Sequence, residues 1–205
     1  MNSCGRRSSQ VRIIGGQWRS RRLEFPDLPG LRPTPDRVRE ALFNWLAPIL
    51  PGARCLDLFA GSGALGIEAL SRGAAEVVFV EHHPRAVRAL CENLARLKAE
   101  GARVEQAEAL AWLCQSEAPF EIVLLDPPFG QGLLNPVCTA LEVGGWLTAT
   151  AWIYLEAEAE SPPPSVPAHW TWHREKIAGA VAYRLAQRKG SHVASGPSPV
   201  SGRTA

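Results

Sequence analysis

The sequence predicts an α/β protein with a doubly wound, mostly parallel sheet. Short apolar runs suited to buried strands alternate along the chain with segments whose apolar residues recur at helical spacing. A glycine-rich turn follows the first of these runs, as in sheets that bind a ligand at the ends of their strands. Near the end, two strand-like segments joined by Ala178-Gly179 predict a hairpin that adds an antiparallel edge.

The predicted elements follow one another through the middle of the chain. The strands are predicted over residues 53–60, 76–81, a short segment around 104, 120–126, 146–155, 170–176 and 181–186. The intervening helices are predicted over residues 64–72, 84–99, 110–114 and 133–141. Because ligands bind at the carboxyl ends of parallel strands, the residues after the first, second and fourth strands are the candidate site.

A further helix is predicted before the sheet. Thr34 is expected to cap this helix, with Pro35 at its first position. Its apolar stripe begins at Val38, and Arg37 and Arg39 lie outside that stripe. Charged residues in such positions more often form a solvated face than a binding surface, so both interpretations stay open here.

Charge is distributed unevenly, although the net charge is only +2. Residues 1–40 carry nine arginines against four acids, residues 41–173 have a net charge of −8, and residues 174–205 have a net charge of +5. Basic ends around an acidic middle suggest a polyanionic partner such as nucleic acid. The alternative is that the basic ends are merely soluble tails.

The chain divides into four predicted segments. Residues 1–10 and 190–205, which are rich in Ser, Gly and Pro, are predicted to be disordered tails. Residues 11–50 are predicted to form a basic segment that ends in the first helix and docks on nucleic acid. Residues 51–189 are predicted to form the catalytic domain.

The composition favours a cytoplasmic protein, which we expect to be a monomer. The N-terminal residues lack the apolar region of a secretory signal, and no apolar run is long enough to predict a membrane span. The five cysteines are scattered without a C-x-x-C pair, which predicts neither a disulfide framework nor a zinc site. His82 and His83 are adjacent but have no third ligand at metal spacing, so no metal is expected.

The turn after the first strand is a candidate cofactor loop. Its glycines follow the pattern G-x-G-x-x-G from Gly61 to Gly66, between a strand and a helix. Glu81 ends the next strand, twenty residues after Gly61, where an acid can accept hydrogen bonds from ribose hydroxyls. Both a dinucleotide and S-adenosylmethionine fit this geometry. Asp57 could accept the ammonium group of S-adenosylmethionine, or it could only hold the loop.

The fourth strand ends in the more specific motif, Asp126-Pro127-Pro128-Phe129. An exocyclic amino group of a nucleobase is a poor nucleophile because its lone pair is delocalised into the ring. The Asp126 carboxylate and the Pro127 carbonyl can accept hydrogen bonds from both of its N–H groups, and the prolines stiffen the loop that carries these acceptors. Phe129 can stack on the base. The motif therefore predicts methylation of a nucleobase amino group.

Several motifs together resemble the class I methyltransferases, namely D-x-F-x-G-S-G, Glu81 and D-P-P-F in this order. The stretches R-I-I-G-G-Q-W-R from Arg12, L-R-P-T-P-D-R-V-R-E from Leu31 and H-R-E-K-I-A-G from His173 narrow the resemblance. They are similar to the RsmD family, the bacterial 16S rRNA guanine-N2 methyltransferases. The resemblance covers about residues 11–189.

The resemblance implies a Rossmann-like, seven-stranded methyltransferase domain with its last strand antiparallel. It implies transfer of a methyl group from S-adenosylmethionine to N2 of one guanine in 16S rRNA, within an assembled or assembling small ribosomal subunit. The catalytic residues would be Asp126, Pro127, Pro128 and Phe129. The cofactor would contact Asp57, Phe59, Gly61, Ser62, Gly63, Glu81, Glu108 and Ala109. Related enzymes often carry Asp near the adenine, where this sequence has Glu108-Ala109.

Docking on RNA is expected from the N-terminal basic segment. Trp18 lies among arginines in a glycine-rich stretch that can follow a phosphate backbone while the indole stacks on a base. The expected RNA contacts are Trp18, Arg19, Arg21, Arg22, Arg32, Thr34, Arg37 and Arg39.

Three other functions are alternatives to methylation of guanine. An NAD-dependent dehydrogenase would share the glycine loop, but no Tyr-x-x-x-Lys set accompanies it. Methyltransferases that act on adenine or on protein amides more often have Asn at the position of Asp126. An RNA-binding assembly factor without catalytic activity would not need Asp126 and Glu81, both of which are present.

Overall fold

The computed structural model describes residues 8–190, which contain nine strands and five helices. The strands are β1 (Ser8–Arg12), β2 (Arg22–Pro26), β3 (Arg54–Asp57), β4 (Glu76–Glu81), β5 (Ala102–Gln106), β6 (Phe120–Leu125), β7 (Leu147–Glu158), β8 (Trp170–Ala178) and β9 (Val181–Arg188). The helices are α1 (Asp36–Leu46), α2 (Ala64–Ser71), α3 (Pro84–Leu97), α4 (Ala109–Trp112) and α5 (Leu134–Val143). No helix in this part of the chain is long and apolar enough to cross a membrane.

The large sheet has seven strands in the order β5-β4-β3-β6-β7-β9-β8. Neighbours from β5 to β7 pair in parallel, and β9 is antiparallel to both β7 and β8. The doubly wound sheet with an antiparallel last strand is therefore confirmed. The predicted antiparallel edge is also confirmed: β8 and β9 form a hairpin in which β9 pairs with β7 and β8 forms the edge of the sheet.

Strand order reverses between β3 and β6, which is where this type of sheet binds ligands. Both faces of the sheet are covered, so the central strands are almost entirely apolar. Helix α2 packs closely on β4 because Gly66 has no side chain. A Cβ atom at Gly66 would lie only 2.2 Å from Cε1 of Phe79.

A hairpin precedes the sheet, since β1 and β2 pair antiparallel. The predicted disordered tail is wrong for residues 8–10, which form part of β1, while residues 1–7 and 191–205 lie outside the described residues. Apolar side chains of the hairpin, including Ile13 and Leu23, join the core that covers one face of the sheet. Glu68 of α2 accepts hydrogen bonds from the backbone N–H groups of Ile14 (2.8 Å) and Gly15 (2.7 Å).

Helix α1 begins differently from the prediction. Pro35 occupies the N-cap position, and no side chain caps the helix. The Thr34 hydroxyl points instead towards Asp126, as described below. Arg39 was expected on a solvated face but is fully buried, because its guanidinium group pairs with Asp36 (2.6 Å) and with Glu68 (3.6 Å).

Candidate active site

Acidic side chains gather at one end of the parallel strands. Asp57, Glu81 and Asp126 lie at or directly after the ends of β3, β4 and β6, and Glu156 lies near the end of β7. Burial raises the pKa of Asp57 to about 7, the Gly66 N–H bond opposes this rise, and the charges of Asp126 and Glu81 add to it. These carboxyl groups are thus close enough to influence one another electrostatically.

The cofactor loop is fixed by two of these acids. The Glu81 carboxylate accepts a hydrogen bond from the Gly61 N–H (2.8 Å), and the Asp57 carboxylate accepts one from the Gly66 N–H (2.9 Å). Gly63 has a φ of +76°, in the left-handed region that favours glycine. The side chain of Asp57 is almost fully buried, so in this structure it holds the start of α2.

Glu81 keeps capacity for a ligand. Its second oxygen accepts a hydrogen bond from the His83 N–H (2.7 Å), and Nδ1 of His82 lies 3.2 Å from the same atom. An ionised carboxylate has about four lone-pair sites, so acceptor positions remain for hydroxyl groups. Among residues 8–190, His82 is the one basic side chain within ion-pair distance of the four acids.

The other residues expected at the cofactor differ in accessibility. Phe59 and Gly61 are half-buried, whereas Ser62 is buried. Glu108 is exposed at the start of α4, without a capping hydrogen bond from its side chain, and Ala109 is buried behind it. No group of three potential metal-binding side chains occurs in the described part of the chain.

The D-P-P-F sequence from Asp126 to Phe129, here called the acceptor motif, lies beside an open cleft of about 290 Å³. Pro127, Pro128 and Phe129 line it together with Glu156, and a proline-rich segment over residues 162–164 forms the opposite side. Phe129 is 41% exposed, and it lies three residues after the half-buried carboxylate of Asp126. A planar ring could therefore stack on Phe129 without displacing protein atoms.

One carboxylate oxygen of Asp126 is hydrogen-bonded to the segment before α1. Oδ2 of Asp126 accepts a hydrogen bond from the Thr34 hydroxyl at 3.1 Å, and the same hydroxyl lies 2.9 Å from Oε1 of Glu156. The Tyr154 hydroxyl donates to that Glu156 oxygen at 2.8 Å. Burial raises the pKa of both carboxyl groups, more strongly for Glu156, to which the charge of Asp126 also contributes.

Neither Glu156 nor Tyr154 was predicted to belong to the site. The strand was predicted to end at residue 155, although β7 continues to Glu158. A signal was present, because Tyr154 and Glu156 are two residues apart and therefore point to the same face of the strand. The contact between Glu156 and Thr34 could not be predicted from local sequence, because the two residues are 122 positions apart.

The expected RNA contacts fall into three groups by exposure. Trp18 is half-buried and packs against the core, and its backbone N–H donates to Ser71 (3.0 Å). Thr34 and Arg39 are buried, so the expectation that their side chains meet RNA at the surface is wrong. The exposed members of the set are Arg19, Arg21, Arg22, Arg32 and Arg37.

Known proteins are similar to this chain over most of its length. Residues 11–187 match the family described as Conserved hypothetical protein 95, which is the RsmD family. The chain belongs to the RsmD family. The match covers the last two residues of β1, all of β2 and α1, and almost all of the large sheet, which confirms the resemblance drawn from the sequence.

Individual RsmD family members are similar over most of their length. The chain is 57% identical to Ribosomal RNA small subunit methyltransferase D of Escherichia coli strain K12 over 182 residues, which cover 89% of this chain and 92% of that protein. The Haemophilus influenzae protein of the same name is 45% identical over 182 residues, covering 87% of this chain and 94% of that protein. The solved structure of yhhF from Escherichia coli has a TM-score of 0.83 at 54% identity, covering 88% of this chain and 99% of that chain.

Proposed function

We propose that this protein transfers a methyl group from S-adenosylmethionine to the exocyclic N2 of a guanine in 16S rRNA, acting in the cytoplasm on the small ribosomal subunit. The observation that carries the proposal is a carboxylate, Asp126, that has one oxygen fixed by Thr34 and lies beside the exposed ring of Phe129. The names of the relatives in Escherichia coli and Haemophilus influenzae support rRNA of the small subunit as the substrate.

The charge of the site favours a cationic donor. Four carboxyl groups surround the glycine loop and the strand ends, and His82 is the one basic side chain paired with them among residues 8–190. A pyrophosphate would be repelled here, which argues against a dinucleotide. S-adenosylmethionine supplies an activated methyl group on a positively charged sulfur and carries no phosphate. Glu81 would bind its ribose hydroxyls, and Asp57 would hold the loop.

The acceptor side favours guanine over adenine. Both groups on the relevant edge of guanine, N1–H and the N2 amino group, are donors, and an ionised Asp126 is acceptor-only. Adenine presents a donor and an acceptor at the corresponding positions, which suits an amide such as Asn. Within residues 8–190, Oδ1 of Asp126 receives no protein hydrogen bond, so it is available to the base.

Asp126 then orients the amino group and holds its lone pair towards the methyl donor. The Pro127 carbonyl is the second acceptor, and Phe129 supports the base from one face. Once the nitrogen is methylated it becomes acidic, and Asp126 can take its surplus proton. Orientation is the main contribution, because the amine does not lose a proton before the methyl group is transferred.

The proposal is tested by methyl transfer from labelled S-adenosylmethionine to small subunits of a methylation-deficient strain, with the labelled nucleotide then mapped. Wild-type protein should label N2 of a single guanine in 16S rRNA. Asp126→Ala should lose most turnover and bind the cofactor normally, and Asp126→Asn should retain more activity than Ala because it keeps an acceptor oxygen. Label on an adenine, on protein or on 23S rRNA would contradict the proposal.

Docking of the RNA is assigned to the exposed arginines of the N-terminal segment. Arg19, Arg21 and Arg22 lie close together in sequence around the tip of the hairpin, and all three are exposed. The planar guanidinium group gives phosphate two parallel hydrogen bonds. Phosphate contacts would hold an RNA loop while the target base leaves its stack and reaches Phe129.

Neutralising these three arginines together to Gln should weaken binding to the small subunit and flatten its salt dependence, by roughly 0.7 log unit per lost single-strand phosphate contact. Affinity for S-adenosylmethionine should be unchanged. Arg88→Gln on the exposed face of α3 is the matched control. A folded triple variant that methylates at the wild-type rate at low and high salt would remove the arginines from the docking surface.

A further inference from the structure

The hydroxyl group of Thr34 contacts two acids, although it has only one proton to donate. Oγ1 of Thr34 lies within hydrogen-bond distance of Asp126 and of Glu156, but a hydroxyl group has a single proton to donate. If both carboxyl groups were ionised, one of the two contacts would place a lone pair against a lone pair. This conflict is removed when one of the two carboxyl groups is protonated and donates to Thr34.

Burial favours Glu156 over the half-buried Asp126 as the acid that holds this proton. Glu156 is 2% exposed and forms no ion pair within the described part of the chain. The groups that face it are Asp126 at the end of β6, Asp57 at the end of β3, the Tyr154 hydroxyl on its own strand and Tyr183, its register partner on β9. Burial and the charges of the two aspartates raise the pKa of Glu156 more than burial raises that of Asp126.

The hydrogen bonds then run in one direction. Tyr154 donates to Oε1 of Glu156, the protonated Glu156 donates to Oγ1 of Thr34, and Thr34 donates to Oδ2 of Asp126. Every donor in this chain has an acceptor, and the negative charge resides on Asp126. Because Oδ2 is occupied, rotation of the carboxylate is restricted, and Oδ1 receives no protein hydrogen bond among residues 8–190.

We propose that Thr34 and a protonated Glu156 are positioning residues that hold Asp126 ionised and oriented for the amino group. The proposal rests on the role assigned to Asp126 above. It differs from a purely structural role for the buried acid, because the proton on Glu156 is required for turnover. Loss of that proton would place two negative charges against one hydroxyl group and release Asp126 from its position.

Paired variants separate the hydroxyl from the shape of the side chain. Thr34→Val keeps the shape and loses the hydroxyl, so kcat should fall about tenfold to a hundredfold, as expected for one lost hydrogen bond to a charged group. Thr34→Ser should restore most of it, and the affinity for S-adenosylmethionine should be the same in both. Wild-type kcat in a folded Thr34→Val variant would overturn the proposal.

The pH profile tests the proton itself. Wild-type activity should fall at high pH as Glu156 ionises, and Glu156→Gln, which mimics the protonated acid, should keep near-wild-type activity and lose this high-pH limb. Glu156→Leu should lose activity at every pH. A high-pH limb that persists unchanged in Glu156→Gln would refute the role of the proton.

A readout without turnover distinguishes failure of this inference from failure of the proposed function. Infrared spectroscopy of the protein alone should show, near neutral pH, the carbonyl stretch of protonated buried carboxyl groups, and Glu156→Gln should remove the contribution of Glu156 and leave that of Asp57. If no RNA is methylated but this band behaves as expected, the proposed function fails and the shared proton stands. If the band is absent, or unchanged in the variant, the inference fails whatever the activity.

Discussion

Glu68 should be among the most important side chains for stability, although it lies outside the candidate active site. Its carboxylate is fully buried and accepts hydrogen bonds from the backbone N–H groups of Ile14 and Gly15 and from Nε of Arg72 (2.7 Å). It also lies 3.6 Å from Nη1 of Arg39, a buried nitrogen that has no hydrogen-bond partner in the described structure. The negative charge of Glu68 is therefore the main interaction that stabilises this buried nitrogen of Arg39.

Glu68→Ala should lower the free energy of unfolding by about 3–5 kcal/mol, the usual result of leaving a buried charge without its partner. Glu68→Gln keeps the size and one acceptor oxygen, so its loss should be smaller. The expected loss is a large part of the roughly 5–15 kcal/mol that holds such a domain together. Besides lowering overall stability, the change should loosen the hairpin, because two of its backbone donors lose their acceptor.

Urea unfolding measures the first effect, and hydrogen exchange of the Ile14 and Gly15 amides measures the second. Glu92→Gln is the matched control, because Glu92 forms an exposed i,i+4 pair with Arg88 at 3.9 Å and should change stability by less than about 0.5 kcal/mol. A loss below about 1 kcal/mol in Glu68→Ala, with unchanged exchange at Ile14 and Gly15, would refute the reasoning.

Two further predictions concern the acids of the site. Glu81→Ala should weaken S-adenosylmethionine binding by about 1–3 kcal/mol in isothermal titration, because ribose hydroxyls lose a charged acceptor; unchanged affinity in a folded variant would remove Glu81 from the site. The free energy of unfolding should fall as pH rises from about 5 to 8, because the raised pKa values of Asp57 and Glu156 mean that the folded state binds more protons than the unfolded chain. Urea unfolding should show a shallower slope in Glu156→Gln, and an equal slope would contradict this assignment.

The sheet and the ends of its strands were predictable because their signals are local. The helical and strand periods alternate along the chain, and parallel strands place their carboxyl ends at one edge, so Asp57, Glu81 and Asp126 had to lie near one another. The hairpin formed by β1 and β2 was missed because its strands are short and lie in an arginine-rich stretch. Their burial depends on apolar residues at alternate positions, such as Leu23 and Phe25, packing on a distant helix.

The error at Arg39 has a different origin. A charged residue outside the apolar stripe of a helix is normally solvated, and nothing near it in the sequence contradicts that. Its partner Glu68 lies 29 residues further along, in a helix that is buried at every position. A single acid in such an apolar helix is itself a signal, since a buried carboxylate needs a partner of opposite charge or several donors.

Arg39 connects the N-terminal hairpin to the acceptor motif. Its Nε donates to the carbonyl oxygen of Thr34 (3.1 Å), and one of its terminal nitrogens donates to that of Arg12 at the end of β1 (2.8 Å). The residue expected to contact RNA therefore holds the backbone of Thr34, whose hydroxyl contacts Asp126. Hairpin, α1 and acceptor motif form one framework, in which the position of Asp126 depends on contacts made more than eighty residues earlier in the chain. The N-terminal segment is thus part of the candidate active site, in addition to the docking role proposed for its exposed arginines.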